Sequence, residues 1–409
     1  MLKKTRSRRL LLGVTGSIAS YKAAEIARYF MKRGYSVRVV MTESAGRFIS
    51  PLTFQSLTGN PVNTSIWTED HPGAIGHIEL ADWADVVLVA PATADCIAKM
   101  AFGFAESNLL AIVLATKAPV IVAPAMNVNM YENLQTQENL ESLRARGVVV
   151  VDSECGPLAC GWNGSGRLAS CSEIYFQVDR VLGPKDLIGK RVLISAGPTR
   201  EAIDPVRFLS NRSSGKMGIS MAREAFRRGA EVTLVHGPLG IKPLLPAAIK
   251  CYPITSANEM HETILRVTSD QAGVVSQDVV VMAAAVADFR PSQGAEHKIK
   301  KGSGVPEIEL VPNPDILADL GSRRGESQRP LLVGFAVETQ GESALIEEAR
   351  AKLSKKRADF VIGNLAKDSF DRDTNRVWIV SREEVCEVGH ASKKLIARGI
   401  WERLIRSVN

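Results

Sequence analysis

Cysteine is scarce in this chain and shows no pairing pattern. The six cysteines of 409 residues, at positions 96, 155, 160, 171, 251 and 386, include no CxxC spacing. That excludes a disulfide framework and a zinc-finger ligand set, and it leads us to expect reduced thiols in a cytoplasm. Aromatic residues make up only 6%, too few for the stacking platforms of a single-strand nucleic-acid binder. Long apolar runs are missing as well. The richest stretch, 109 to 126, is split by Lys117-Ala118-Pro119 into a helix end and a strand, so no membrane span is expected. The basic start and Leu10-Leu11-Leu12 are cut short by Gly13 and Gly16, which argues against a secretory signal. The second half has no GxGxxG with a distant acidic partner, so a dinucleotide is not indicated there.

What remains is the composition of an ordinary globular protein, with 45% hydrophobic and 23% charged residues. The length admits two or three domains, each with its own core. The formal charge of +7 invites a nucleic-acid reading. Part of it, however, sits in Lys3, Lys4, Arg6, Arg8 and Arg9, and the rest concentrates at Lys298-Ile299-Lys300-Lys301 and at Lys352 to Arg357. Local basic sites for small phosphorylated ligands account for that distribution equally well.

Strand and helix patterns alternate through both halves. In the first they run Arg9 to Val14, a helix near Ala19 to Arg33, Ser36 to Met41, Asp85 to Ala90, a helix near Asp95 to Phe102, Val120 to Ala123, a helix near Asn133 to Arg146, and Val148 to Val151. Gly183-Pro184-Lys185-Asp186 then punctuates the chain, and the same logic restarts at Val192. Short buried runs separated by helices predict parallel sheets covered on both faces. We therefore expect an α/β protein of two doubly wound domains, 1–187 and 188–409.

Open sheets of this kind hold ligands at the carboxyl ends of their strands. The second half opens with Val192 to Ile194 running into Ala196-Gly197-Pro198-Thr199, a strand ending in a glycine turn whose amides can face an anion. The chain continues through Arg200, Arg207, Asn211, Arg212, Ser213, Ser214, Gly215 and Lys216 as a polar loop before a helical pattern resumes at Met217. In the first half, strand ends carry Thr15-Gly16-Ser17, Met41-Thr42-Glu43-Ser44, Pro91-Ala92-Thr93-Ala94-Asp95 and Pro124-Ala125-Met126-Asn127. Small residues, hydroxyls and free amides at helix starts suit a phosphate monoester. His77 follows a glycine, and its imidazole titrates near neutrality, although a lone histidine is more often a satisfied or exposed one. Cys160 lies between glycine-rich segments, as on a mobile flap.

The motifs Gly13-Val14-Thr15-Gly16-Ser17-Ile18-Ala19, Gly76-His77-Ile78, Pro91-Ala92-Thr93-Ala94-Asp95 and Pro124-Ala125-Met126-Asn127 with Met130-Tyr131 resemble those of homo-oligomeric flavin-containing cysteine decarboxylases. The resemblance implies a flavodoxin-like flavoprotein domain with His77 as catalytic base, Asn127 holding substrate and Cys160 as acid on the flap. Gly16, Ser17, Thr42 and the turn Pro91, Ala92, Thr93, Ala94 would contact flavin mononucleotide (FMN). Leu168-Ala169-Ser170 and Glu106-Ser107 depart from the family's pattern.

The stretch from 192 to 218 resembles the signature of bacterial phosphopantothenate-cysteine ligases, as do Ala283 to Pro291, Lys298-Ile299-Lys300-Lys301, Asn313-Pro314-Asp315-Ile316, Val333 to Thr339, and Lys352 with Lys356. In this order the two halves resemble the family of bifunctional coenzyme A biosynthesis proteins. The implied co-substrate is CTP, contacted by Met282, Ala283, Ala284, Asp288, Lys298, Asn313, Pro314, Asp315, Ile316, Phe335, Lys352 and Lys356, with Asn211 handling an acyl-cytidylate in a Rossmann-like domain. Position 282 is Met where relatives often have glycine. Mg²⁺ is expected with the triphosphate, Asp288 being a candidate ligand. A solvated charge run competes as an explanation of Lys352 and Lys356, and a plain helix cap as that of Asp315. Small-molecule substrates, a homo-oligomer, no nucleic acid and no membrane complete the expectation. Two rival readings are a flavodoxin-like oxidoreductase fused to a dinucleotide-binding domain and a basic nucleic-acid binder.

Overall fold

The computed structural model describes residues 7–65, 76–157, 161–240, 243–268, 276–300, 307–369 and 372–408. The chain forms two compact units, Met1–Leu182 and Gly183–Asn409.

In the first unit, β1 (Arg9–Val14), β2 (Ser36–Met41), β3 (Val62–Asn63), β4 (Val86–Ala92), β5 (Val120–Pro124) and β6 (Val149–Val150) make one parallel sheet ordered β3-β2-β1-β4-β5-β6. Apart from the two-residue β3 at the edge, the remaining five strands have the flavodoxin-like order. Both faces are covered. Alternation along β1 sends Leu10, Leu12 and Val14 into a cluster with Ile26, Phe30, Ile174 and Val178, while Leu11 joins Ile97, Met100, Leu109 and Ile112 on the other side. Two helices that the periodicity did not mark, Pro51–Thr58 and Cys171–Val181, complete the layers. A small antiparallel hairpin, β7 (Glu154–Pro157) with β8 (Asn163–Arg167), occupies the region read as a flap. The departing residues Leu168 and Ala169 are buried in the core.

In the second unit the strands are β9 (Arg191–Ala196), β10 (Arg200–Ala202), β11 (Phe208–Ser210), β12 (Glu231–His236), β13 (Lys250–Pro253), β14 (Val279–Met282), β15 (Phe289–Pro291), β16 (Leu310–Pro312), β17 (Leu331–Glu338), β18 (Phe360–Leu365), β19 (Thr374–Val380) and β20 (Val385–Ser392). Eight of them form a sheet ordered β13-β12-β9-β14-β17-β18-β19-β20, parallel from β13 through β18 and antiparallel across β19 and β20. The antiparallel pair extends the parallel sheet that the sequence predicts. A cross-strand bond of 2.6 Å from Arg376 to Glu387 ties it, and helix Lys393–Val408 packs against both strands and against helix Lys216–Arg227, where the buried Trp401 Nε1 donates to the carbonyl of Met221 at 3.0 Å. The stretch read as a continuous polar loop folds at its start into a hairpin of β10 and β11, with the Arg200 guanidinium 4.5 Å over the Phe208 ring.

Candidate active sites

In the first unit the strand ends are tied to one another by small hydroxyl side chains. Thr15 Oγ1 donates to the carbonyl of Pro91 at 2.7 Å and accepts from the Thr93 amide at 3.1 Å, which locks the β1 and β4 ends together. Ser17 accepts from the Ala19 amide and donates to the carbonyl of Ala125 at 3.5 Å, bringing in β5. The Thr42 amide donates to the carbonyl of Val14, and its hydroxyl caps Glu43–Gly46. Gly16 is required by the close approach of these loops, since a Cβ there would overlap the Ser44 side chain. Thr42 and Thr93 each accept a helix amide while keeping a hydroxyl proton with no acceptor among the described residues. The mouth therefore offers neutral donors to a ligand rich in acceptors.

Asn127 follows β5 and caps Val128–Glu132, accepting from the Asn129 amide at 2.9 Å. The β7–β8 hairpin is joined to this point, because the Met126 amide donates to the carbonyl of Gly166 at 2.9 Å. Gly16, Ser17, Thr42, Pro91, Ala92, Thr93, Ala94 and Asn127 thus all lie on strand ends of one sheet edge or on the turns that follow them. His77 comes from a separate element, the first turn of helix Gly76–Trp83, where it is half-buried. Cys160 lies outside the described residues.

In the second unit a rigid floor is built first. The loops after β9 and β14 are zipped together as the Ala284 amide donates to Ser195 Oγ at 3.1 Å, the Ala285 amide to the carbonyl of Gly197 at 2.9 Å, and the Ala287 amide to Thr199 Oγ1 at 3.0 Å. Alternate residues Ser195, Gly197 and Thr199 thereby hold the small-residue run Ala283 to Ala287 extended. The chain after β16 is fastened to the same run. The Asn313 side chain donates to the carbonyl of Ala287 at 2.8 Å, and its backbone N–H donates to the carbonyl of Asp288 at 2.9 Å.

Around this floor opens a cleft of about 740 Å³. It is lined by Asn211, Met282, Ala283, Ala284, Asp288, Asn313, Pro314, Asp315, Ile316, Phe335, Lys352 and Lys356, which the chain supplies from well-separated segments. Gly215 starts helix Lys216–Arg227 with φ +69, and a Cβ there would overlap Leu239, so only glycine fits this turn of the cleft wall. Lys352 and Lys356 are no solvated run, their side chains being 26% and 21% exposed. Burial, then the neighbouring Lys356 cation, lowers the pKa of Lys352. Asp315 is the helix cap weighed above, accepting from the Ala318 amide at 3.1 Å at the start of Ile316–Arg324, and it also lines the cleft and pairs with Lys356 at 3.3 Å.

Lys298 does not line the cleft. It is exposed on the arm between β15 and β16, a segment anchored where the Ile299 amide donates to Asp204 at 3.2 Å and Arg207 donates to the carbonyl of Ile299 at 2.8 Å. Burial works against the charge of Asp204, but the amides of Val206 and Arg207 and the Arg207 guanidinium outweigh it and hold the carboxyl well below the usual range. Asn364, Asn375 and Lys393 also line the cleft and were not singled out by sequence. They lie at or beside the antiparallel addition, in a region where the sequence carried no glycine turn or hydroxyl cluster to draw attention. Among the described residues no group of three or more His, Cys, Asp or Glu side chains could hold a metal ion, and no helix is long and apolar enough to cross a membrane.

Comparison with known proteins gives a consistent picture. The Flavoprotein family model matches residues 1–183, and the model described as DNA/pantothenate metabolism flavoprotein C-terminal domain matches residues 187–408. The coenzyme A biosynthesis bifunctional protein CoaBC of Vibrio cholerae is 42% identical over 404 residues, 98% of each chain. That of Bacillus subtilis is 42% identical over 383 residues, covering 92% of this chain and 91% of its own. A crystal structure of the C-terminal domain of a CoaBC protein is 38% identical, covers 54% of this chain and 97% of its own, and has a TM-score of 0.44.

Proposed function

The chain belongs to the family of bifunctional coenzyme A biosynthesis proteins, and from that premise we infer that its second unit joins 4'-phosphopantothenate to cysteine with CTP and its first decarboxylates the product with FMN. The observation that supports this most is the cleft of the second unit, which unites Asn211 with the nucleotide-binding candidates drawn from separate segments between Met282 and Lys356.

Amide formation from a carboxylate needs a leaving group better than oxide. A carboxylate oxygen attacks the α-phosphorus of CTP, the bond to the β-phosphate breaks, and pyrophosphate departs with the electron pair. The amine of cysteine then attacks the acyl carbon, loses a proton and displaces CMP. Catalysis of this kind is positioning and charge neutralisation. Lys352 and Lys356 face the polyphosphate, Asp288 takes the ribose or Mg²⁺, and backbone at Met282, Ala283 and Ala284 meets the base. Asn313, Pro314, Asp315, Ile316 and Phe335 line the rest of the nucleotide site. Asn211, whose side-chain amide donates to the carbonyl of Val286 at 2.9 Å, handles the acyl-cytidylate at the rim, and Lys298 approaches from its arm. Mg²⁺ bound with a triphosphate needs only one or two carboxylates from protein, which the cleft supplies.

The neutral donors of the first unit fit a flavin nucleotide, whose phosphate and ring carbonyls are acceptors. Gly16 and Ser17 would hold the phosphate end, and Thr42 with the turn Pro91 to Ala94 the remainder. Bound FMN supplies a two-electron sink, filled and emptied within one turnover, without which a carboxylate does not leave as carbon dioxide. Asn127 holds the substrate carboxylate, His77 accepts a proton from the substrate and Cys160 returns one to the product carbon. A homo-oligomer in the cytoplasm completes this reading.

Purified protein should be yellow and release FMN on denaturation. It should form pyrophosphate and CMP only when phosphopantothenate and cysteine are both present, and CTP should outperform ATP. Colourless protein with no flavin released would sink the first half of the reading. Net oxidation of NAD(P)H would favour the rival oxidoreductase.

A further inference from the structure

Lys298 has no hold of its own on the cleft. It is exposed and makes no hydrogen bond or ion pair among the described residues, so its ammonium is placed only by the backbone that carries it. That backbone is fixed by a buried carboxylate. Asp204, whose side chain is fully buried, sits in the turn of the hairpin formed by β10 and β11. Its two oxygens have separate tasks. Oδ1 accepts from the amides of Val206 and Arg207, both at 2.8 Å, and so shapes the turn. Oδ2 accepts from the Arg207 guanidinium at 2.6 and 3.0 Å and from the Ile299 amide at 3.2 Å, in a segment 95 residues further along. Arg207 in turn donates to the carbonyl of Ile299 at 2.8 Å, so one acid–base pair holds both backbone groups of the residue next to Lys298. A second crossing steadies the arm, where the Ala295 amide donates to the carbonyl of Ile203 at 2.9 Å. A plain turn needs only the first oxygen; the second serves the arm.

Resting on the ligase reading above, we propose that Asp204 is a positioning residue for ligation, holding Ile299 so that the neighbouring Lys298 is presented to the reacting nucleotide. The same hairpin places the residue assigned to the acyl group. β11 ends at Ser210, whose hydroxyl donates to the carbonyl of Thr199 at 2.6 Å, and the next residue is Asn211. Thr199 is itself part of the floor, accepting from the Ala287 amide. One tied piece of chain therefore carries Asn211 at its base and the arm at its turn, and the spacing of Asn211 and Lys298 is set by the hairpin rather than by the arm alone. An exposed lysine on a free arm would have to be ordered during the reaction, and fixing its backbone beforehand removes that entropy from the barrier. Because the contacts go to the backbone of Ile299, they hold the arm without occupying the Lys298 side chain.

The test measures hydrogen exchange of the arm and steady-state ligation in the full-length protein. Asp204→Asn keeps the shape of the side chain and an oxygen for the turn but loses the charged acceptor that faces the Ile299 amide. Exchange in the peptide containing Ile299 should quicken about tenfold or more, the scale of a hydrogen bond to a charged group. The kcat for ligation should fall about tenfold, with KM for cysteine and the release of carbon dioxide unchanged. In a Lys298→Gln background the same substitution should cost ligation nothing further, since changes that act through one group are not additive. Ile299→Pro, which deletes the donated N–H and leaves the turn intact, should reproduce the loss of kcat and serves if the first variant does not fold. Unchanged arm exchange in folded Asp204→Asn, or an equal tenfold loss with Lys298→Gln already in place, overturns the assignment. Faster arm exchange in the variant, with no CTP-dependent ligation even in the wild type, would instead remove the ligase reading and the positioning role with it, leaving Asp204 a purely structural clamp.

Discussion

The two units use the same sheet edge in different ways. In the first, hydroxyls at strand ends cap helices and tie neighbouring loops, leaving a mouth of neutral donors. In the second, hydroxyls are spent beneath the site, where Ser195 and Thr199 fasten one loop to the next, and the cleft above is lined by Lys216, Lys352, Lys356 and Lys393. The difference follows the charge of the ligand each would hold. A flavin nucleotide carries one phosphate on a large, weakly polar body, whereas a triphosphate concentrates several negative charges that only cations and metal can balance.

If the units are independent, each should be disabled alone. The largest effect is expected for His77→Asn, which should lower carbon dioxide release by about a thousandfold with ligation intact. Asn211→Asp should slow ligation by about a hundredfold and spare decarboxylation. Loss of both activities in either folded variant would end the comparison. Lys356→Met should raise KM for CTP about tenfold, or about 1.4 kcal/mol, and leave flavin content unchanged.

A subtler contrast concerns pH. Because the pKa of Lys352 is lowered by burial and by Lys356, it loses its charge before an ordinary lysine does. Binding of an anion favours the protonated form, so KM for CTP should climb as pH rises, beginning below the range in which an ordinary lysine deprotonates. Lys352→Arg, which keeps its charge, should flatten that rise; an equal slope in both proteins would exclude Lys352 as the titrating group. The smallest effect is expected for Asp315→Ala, which removes the cap of Ile316–Arg324 and about 1 kcal/mol of stability, read as a lower melting temperature of the second unit with flavin release unaltered.

Much of this was legible in the residues themselves. Leu10 to Val14 and Val86 to Ala90 are too apolar for anything but strands buried on both faces. The glycine and hydroxyl residues that follow mark the ligand edge, because a strand must end where its amides are left unpaired. Helices such as Pro51–Thr58 were hidden because their burial depends on a neighbouring strand rather than on a strong stripe of their own. Asn375 and Lys393 were hidden for a related reason: polar residues in an ordinary strand and helix start carry no local signal, and only pairing of β19 with β18 brings them to the cleft.

Sequence alone determined the alternation of strand and helix, the doubling of the pattern and the residue chemistry at each strand end, since these depend on near neighbours and on periodicity. Tertiary structure decided which separated segments share a cleft, that Lys298 stands on an arm anchored by Asp204, and that two antiparallel strands extend the second sheet. Those outcomes depend on pairings between residues far apart in the chain, whose energies no local pattern records.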